Sequence, residues 1–459
     1  MSEYKNLIVK NFDDAEYLHE VAILKRAAEY YTLDKDFHAA FEKNSEQTLA
    51  EYGLAEVDVQ SARLLLLTEV AEKFKDTPFE KFPRQFRRYK KFMAEKLELR
   101  NKLRHEDCKP TNKIWANWRA RQIIRCWFEM GARNLSMVHT PVMFELAKGC
   151  SVGCPFCGLM APPLTKIFRY TDENAAFWKN ILRVVYEFTG SAGGAGTLYY
   201  ASEPLDNPDY TRFVGDYFEI FRHVPQVTTA ASTRNVERTR SILKFGYELE
   251  PHIDRFSVLN KKMRDKIFES FTPEELVPVE LLPQFADAPN NHFSAVGKAR
   301  AENQDTGDTI ACLSGVVINL AEKTVTLATP RNSDKAHPTG QKIYAVENFA
   351  DAEDLRKVLS ALIEKYMPAA PDYSADLKLH AFVHLAAEND RLTISGSGYK
   401  MTKTYDENSR AAMVKVAAYL EENRHGSIRG LARDFYDEVE PAYTISVVKN
   451  LWRLGVFED

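Results

Sequence analysis

With 459 residues, 45% of them hydrophobic and 27% charged, the chain has the make-up of a globular protein of two or three domains. It has no apolar run of bilayer-spanning length, no signal-peptide start at Met1-Ser-Glu-Tyr-Lys-Asn6, and six cysteines too irregularly spaced for a disulfide framework, so a cytoplasmic location is expected. A formal charge of −4 gives no global attraction for nucleic acid.

Residues 1–138 read as a helical region, with apolar periodicity in Val21-Ala-Ile-Leu-Lys-Arg-Ala-Ala28 and Ser61-Ala-Arg-Leu-Leu-Leu-Leu-Thr68. Within it, Asp36-Phe-His-Ala-Ala-Phe and the closing Tyr52-Gly-Leu54 frame a stretch, 36–54, that resembles the helical leaders of ribosomally made precursor peptides. Gly53 also suits an ordinary left-handed helix end. From Lys81 to Arg104, ten basic residues face only Glu95 and Glu98 and interleave with Phe82, Phe86, Tyr89 and Phe92. Two readings stand: a solvated amphipathic helix with its rings inward, or a basic wall for an acidic peptide or nucleic acid. Trp115, Trp118 and Trp127 read as helix packing.

Residues 139–300 alternate short apolar strands with helices, the pattern of β/α units on a parallel sheet. Pro141–Ala147 reads as a buried strand and runs into Lys148-Gly-Cys-Ser-Val-Gly-Cys-Pro-Phe-Cys-Gly158. A helix near 172–188, a glycine-rich stretch 190–196, and strands at 197–201, 226–230, 255–259 and near 279–282 follow. The fold class expected is α/β: a partial (β/α)6 TIM-type barrel behind an N-terminal helical region.

Residues 301–368 read as an extension, a hairpin of 309–319 and 324–329 followed by a helix near 351–366, and they carry Cys312. Pro368 and Pro371 mark a linker. In 375–459, strands at 381–385 and 391–395 precede helices near Glu407–Glu422, Ser427–Tyr436 and Ala442–Leu454, with Gly455-Val-Phe457 as a wing or docking tail. This order resembles the winged-helix element with which peptide-modifying enzymes hold a substrate leader. A DNA-reading role is disfavoured, because acidic residues outnumber basic ones, ten to seven, from Asp406 onward.

The loop Cys150-x3-Cys154-x2-Cys157 offers three thiols, whereas an iron–sulfur cluster or a structural zinc normally takes four ligands. A zinc knuckle completed from a distance is the plain alternative. The spacing, with Phe156 before the last cysteine, resembles the signature of radical S-adenosylmethionine enzymes. That resemblance implies one 4Fe-4S cluster held by Cys150, Cys154 and Cys157, with S-adenosyl-L-methionine chelating the open iron. It also implies cofactor contacts at Glu203 and Ser202 of Tyr200-Ala-Ser-Glu-Pro-Leu205, at Ser232 after the third strand, and at Ser257 in the fourth. Two glycines usual beside Glu203 are Ala201 and Ser202 here, and Leu259 and Asn260 replace an expected Asp-Gly.

The Cys312-Leu-Ser-Gly315 run, the single cysteine in the extension and the flanking domains together resemble the proteusin-type peptide epimerases. The resemblance implies L-to-D conversion in a precursor peptide. The 5′-deoxyadenosyl radical takes a Cα hydrogen, and Cys312 as catalytic residue returns one to the opposite face. A buried apolar cysteine is the ordinary alternative for Cys312, and still more for Cys108 and Cys126. The partners implied are the precursor, its leader held by the C-terminal element, the N-terminal helices or both, and an external one-electron reductant, with no membrane and no nucleic acid. Rival readings are a peptide-crosslinking or peptide-excising radical enzyme, a tRNA-modifying one, and a non-catalytic zinc-binding regulator that contacts DNA or RNA.

Overall fold

The structure is a computed structural model and describes residues 14–102, 107–291, 294–300 and 307–458. The signal-peptide expectation at residues 1–6 and the end of the basic run at 103–104 lie outside them. Among the described residues no helix is long and apolar enough to cross a membrane.

Six helices, Ala15–Leu33, Lys35–Lys43, Ser45–Glu51, Val59–Leu66, Thr68–Lys73 and Arg84–Lys102, build the N-terminal region around one apolar cluster. The leader-like stretch supplies two of them and buries Phe37, Phe41, Leu49 and Leu54 there, so it is part of this region's core. Gly53, at φ +70°, lets Leu54 N–H reach back to the Leu49 carbonyl. Arg84–Lys102 also turns its rings inward, with Phe86, Tyr89 and Phe92 buried. Its outer charges are partly spoken for. Arg84 and Arg88 pair with Glu16 and Glu20, and Lys96 with Glu280 at 2.7 Å.

The bundle is moored to the rest of the chain by buried polar groups. Asp34 caps the second helix and takes Arg264 at 3.0 Å. Lys25 Nζ donates to the Val279 carbonyl at 2.7 Å and Arg26 to the Phe271 carbonyl at 3.1 Å. Each is satisfied, as burial demands.

The parallel strands expected to share one partial barrel divide between two sheets, and no closed barrel forms among the described residues. Thr140–Glu145 belongs to a four-stranded sheet, while Thr228–Thr229, Asp254–Val258 and Val279–Pro283 form a parallel three-stranded one. The expectation of a strand at 197–201 is corrected. Thr197 accepts one backbone bond from Phe144 at 2.9 Å, but no ladder follows, and the expected third strand shrinks to Thr228–Thr229.

The hairpin is present as Leu313–Asn319 and Thr324–Pro330, with Lys323 left-handed in its turn. Leu313–Asn319 pairs in parallel with Thr140–Glu145, and Gln341–Asn348 adds an antiparallel third partner. The extension therefore completes the sheet that feeds the cysteine loop.

The motif residues explain that pairing. A Cβ on Gly315 would stand 1.8 Å from the Pro141 carbonyl oxygen, so only glycine admits the neighbouring strand. Ser314 Oγ lies 2.8 Å from the buried His139 ring. The outer face of the strand pair, with Val142, Phe144, Val316 and Ile318, packs into the main core with Trp178 and Tyr217.

Beyond residue 375, a meander of His384–Glu388, Arg391–Gly396 and Tyr399–Thr404 precedes helices Glu407–Asn423, Ile428–Asp434 and Pro441–Arg453. The first of these strands begins later than the expected 381–385. The third is an addition to the expected pair. The tail docks: Phe457 bridges to Leu379, and Val456 and Phe457 are buried. Phe128 of helix Lys113–Met130 joins this element's core.

Candidate functional site

The cysteine loop is pinched at its base by Ala147–Lys148 against Lys166–Ile167. Gly149 carries φ +80° and passes so close to Pro163 that a Cβ would sit 2.3 Å from its carbonyl oxygen. Asp206 accepts from Ser151 N–H at 2.9 Å, and Arg234 donates to the Ser151 carbonyl at 3.2 Å. Backbone N–H groups of Val152 and Ala161 point at the Cys150 and Cys157 sulfurs, each at 3.4 Å.

All three cysteines are partly accessible. Burial, then the Cys150 and Cys157 thiols, push the Cys154 thiol up to about 11, and burial raises that of Cys150. Mutual electrostatic influence and N–H···S contacts suit the donor set of an iron–sulfur cluster. Among the described residues, however, no three His, Cys, Asp or Glu side chains stand close enough to hold an ion. The three thiols fit the group in donor chemistry, though not in the spacing described.

Glu203 is buried beside this loop. Its carboxylate accepts from Leu205 N–H at 3.1 Å, Ala230 N–H at 3.0 Å and the Thr229 hydroxyl at 2.5 Å, tying its own segment to the end of strand Thr228–Thr229 and capping a short turn. Burial raises its pKa, and these donors oppose the shift. Ser202 bonds a different carboxylate, Glu145. Ser232 is fully buried, its hydroxyl without a partner among the described residues. Ser257 is half-buried, on the face of its strand opposite Phe256 and Val258, which pack inward.

Glu145 is the residue that sequence reasoning passed over, inside the run taken as an apolar strand. Ala201 N–H donates to it at 2.7 Å and Asn319 Nδ2 at 3.0 Å. Burial raises its pKa. One charge in an otherwise apolar strand, five residues before Cys150, was the available signal.

Cys312 is half-buried and enters the strand beside Thr140, whose N–H donates to its carbonyl at 2.8 Å. It packs with Tyr200 against Met143, Leu313, Val317 and Ala328, and on its other side against Cys126, Met130 and Met137. It lies within electrostatic reach of Tyr199, Tyr200 and Arg255. Along the paired strands, Cys312 and the start of the cysteine loop stand at opposite ends, since Thr140 to Glu145 spans about 17 Å at ~3.3 Å per residue. The loop itself folds back. Cys157 O accepts from Lys298 N–H at 3.0 Å, and Gly158 touches Ile310, two residues before Cys312.

No family model matches the chain. A Sinorhizobium fredii (strain NBRC 101917 / NGR234) protein described as "Uncharacterized protein y4wI" is 36% identical over 293 residues, 61% of this chain. The match spans 57% of that relative's length. Among solved structures, BtrN in complex with AdoMet and 2-DOIA aligns at a TM-score of 0.30 and 14% identity, over 40% of this chain and 71% of that one. A likeness that slight carries no argument.

Proposed function

We propose that the protein is a radical S-adenosylmethionine enzyme and, within that class, an epimerase that turns L-residues of a ribosomally made peptide into D-residues. The observation that carries the reading is that the three-thiol loop follows one strand and a half-buried thiol directly precedes the strand paired in parallel with it. Cys150, Cys154 and Cys157 would hold a 4Fe-4S cluster. The chemistry that the cluster and S-adenosyl-L-methionine supply when bound is abstraction of a hydrogen atom from carbon.

The chain's own residues do the rest. Asp206 and Arg234 fix the loop's first turn through Ser151. Glu203 holds the ends of two units together beside the thiols, and Glu145 holds Ala201, so the segment 201–203 is pinned from both sides. Cys312 gives its hydrogen to a planar Cα radical from the face opposite the abstraction, which fixes the D configuration. A donor set apart from the loop suits that requirement.

A peptide partner is supported at the C-terminal element. Leu385 and Ala387 of an edge strand, with Val414, Ala418, Glu421 and Glu422, line a groove open to an extended chain. The test is iron and sulfide analysis of anaerobically purified protein. Cluster-bound iron and reductant-dependent formation of 5′-deoxyadenosine are expected, both lost in the Cys150→Ala, Cys154→Ala and Cys157→Ala variants; stoichiometric zinc without iron would sink the proposal.

A further inference from the structure

Cys312 is left one hydrogen short after each inversion, and the epimerase reading, on which this inference rests, names nothing that restores it. Two sulfur or oxygen neighbours are at hand. Cys126 is fully buried between Met130 and Met137 and already engaged with Arg125 at 3.3 Å and the Pro330 carbonyl at 3.7 Å. Tyr200 shares the apolar seat of Cys312 on Met143, Leu313, Val317 and Ala328. Its hydroxyl donates to Gln341 Oε1, and Gln341 pairs with Pro330 at the start of the next strand. The phenol is thus held in place at the entry to the strand that carries Cys312.

We infer that Tyr200 is a hydrogen relay that returns Cys312 to its thiol form between turnovers. The steps balance. The Cα radical takes hydrogen from the Cys312 S–H bond and leaves a thiyl radical. The thiyl takes the hydrogen atom of the Tyr200 O–H bond, restoring the thiol and leaving a phenoxyl radical. One electron from the external one-electron reductant and one proton from water then restore the phenol. Thiol S–H and phenol O–H bonds are similar in strength, so the middle step runs with little bias and is drawn forward by the reduction. Burial pushes the Tyr200 phenol far above its ordinary value, so the group keeps the hydrogen it must give. Tyr199, whose hydroxyl donates to Thr228 Oγ1 at 2.6 Å, points to the other sheet.

The experiment compares wild-type, Tyr200→Phe, Tyr199→Phe and Cys126→Ala enzymes, reconstituted with iron and sulfide, in single-turnover and multiple-turnover assays. Tyr200→Phe should form one D-residue per enzyme in the first turnover and then stall, while Tyr199→Phe and Cys126→Ala continue. A freeze-quenched wild-type sample should show a radical signal that narrows on ring deuteration of tyrosine and is absent in Tyr200→Phe. Sustained turnover by Tyr200→Phe, a stall in Cys126→Ala instead, or loss of the first turnover in a folded Tyr200→Phe would each overturn the relay. D-residue formation by Cys312→Ala would overturn the epimerase reading itself, a result distinct from all of these.

Discussion

Thr140 and Cys312 are joined by a single backbone bond, the N–H of the first donating to the carbonyl of the second at 2.8 Å. Because only the main chain of Cys312 takes part, its side chain can be changed without disturbing the pairing. Cys312→Ala is expected to cost about 1 kcal/mol or less in stability, to keep nucleoside formation, and to lose the D-residue. Denaturant unfolding and chiral analysis of the hydrolysed peptide check the two halves.

The same strand pair makes Gly315 irreplaceable. Its missing Cβ leaves room for the Pro141 carbonyl, and alanine would have to force the strands apart. Gly315→Ala is expected to destabilise the protein by roughly 2–3 kcal/mol, read as a lower midpoint in urea. A midpoint equal to wild type would show that the strands are not paired as described.

Little of this was open to sequence reasoning, for a physical reason. The cysteine loop and the Leu313–Pro330 hairpin are local, and a spacing or a short turn reveals them. The parallel contact of 140–145 with 313–319 closes a loop of more than 160 residues, and no periodicity encodes it. Gln341–Asn348 escaped notice because its pattern runs against the usual one, with Gln341 buried and Ile343 and Val346 exposed, and Tyr399–Thr404 because only Tyr399 and Met401 in it are apolar. At 197–201 the apolar residues did suggest a strand, but Glu145 takes the Ala201 N–H and Thr197 makes the one backbone bond there, so a ladder has nothing to grow from.

A carboxylate and an imidazole outside the loop set the pH behaviour in opposite directions. Burial tends to raise the Glu280 carboxyl, but Lys96 and Arg255 outweigh it and hold the group at about 2 instead of 4.5. The folded value is the lower one, so the stabilisation is complete above 4.5 and disappears as the pH falls toward about 2. With Glu280 partly exposed, about 2 kcal/mol is at stake. Lys96→Ala should remove much of it at neutral pH and flatten the acid limb of the stability curve.

Burial works to lower the His252 imidazole, but attraction to Asp254 and the hydrogen bond that Nε2 donates to its Oδ2 at 3.0 Å raise it above 6.5. Here the folded value is the higher one. The stabilisation is therefore present in full below 6.5 and is lost as the pH climbs through the elevated value. His252→Asn should abolish that alkaline loss, measured as unfolding free energy across the same range.

The helix Arg84–Lys102 bears on the nucleic-acid alternative. Arg84, Arg88 and Lys96 are already paired with Glu16, Glu20 and Glu280, which leaves fewer phosphate contacts than the basic run suggests. Titration with transfer RNA at low and moderate salt is expected to show weak binding with a shallow salt slope. A steep slope would favour an RNA substrate.

The most direct test of the central claim is incubation of the reconstituted enzyme with reductant, S-adenosyl-L-methionine and a candidate precursor in deuterium oxide. Epimerisation predicts 5′-deoxyadenosine together with one deuterium at each inverted Cα, delivered from the exchangeable thiol of Cys312. A peptide that instead loses two hydrogens and gains no deuterium would contradict epimerisation and assign the radical to crosslinking.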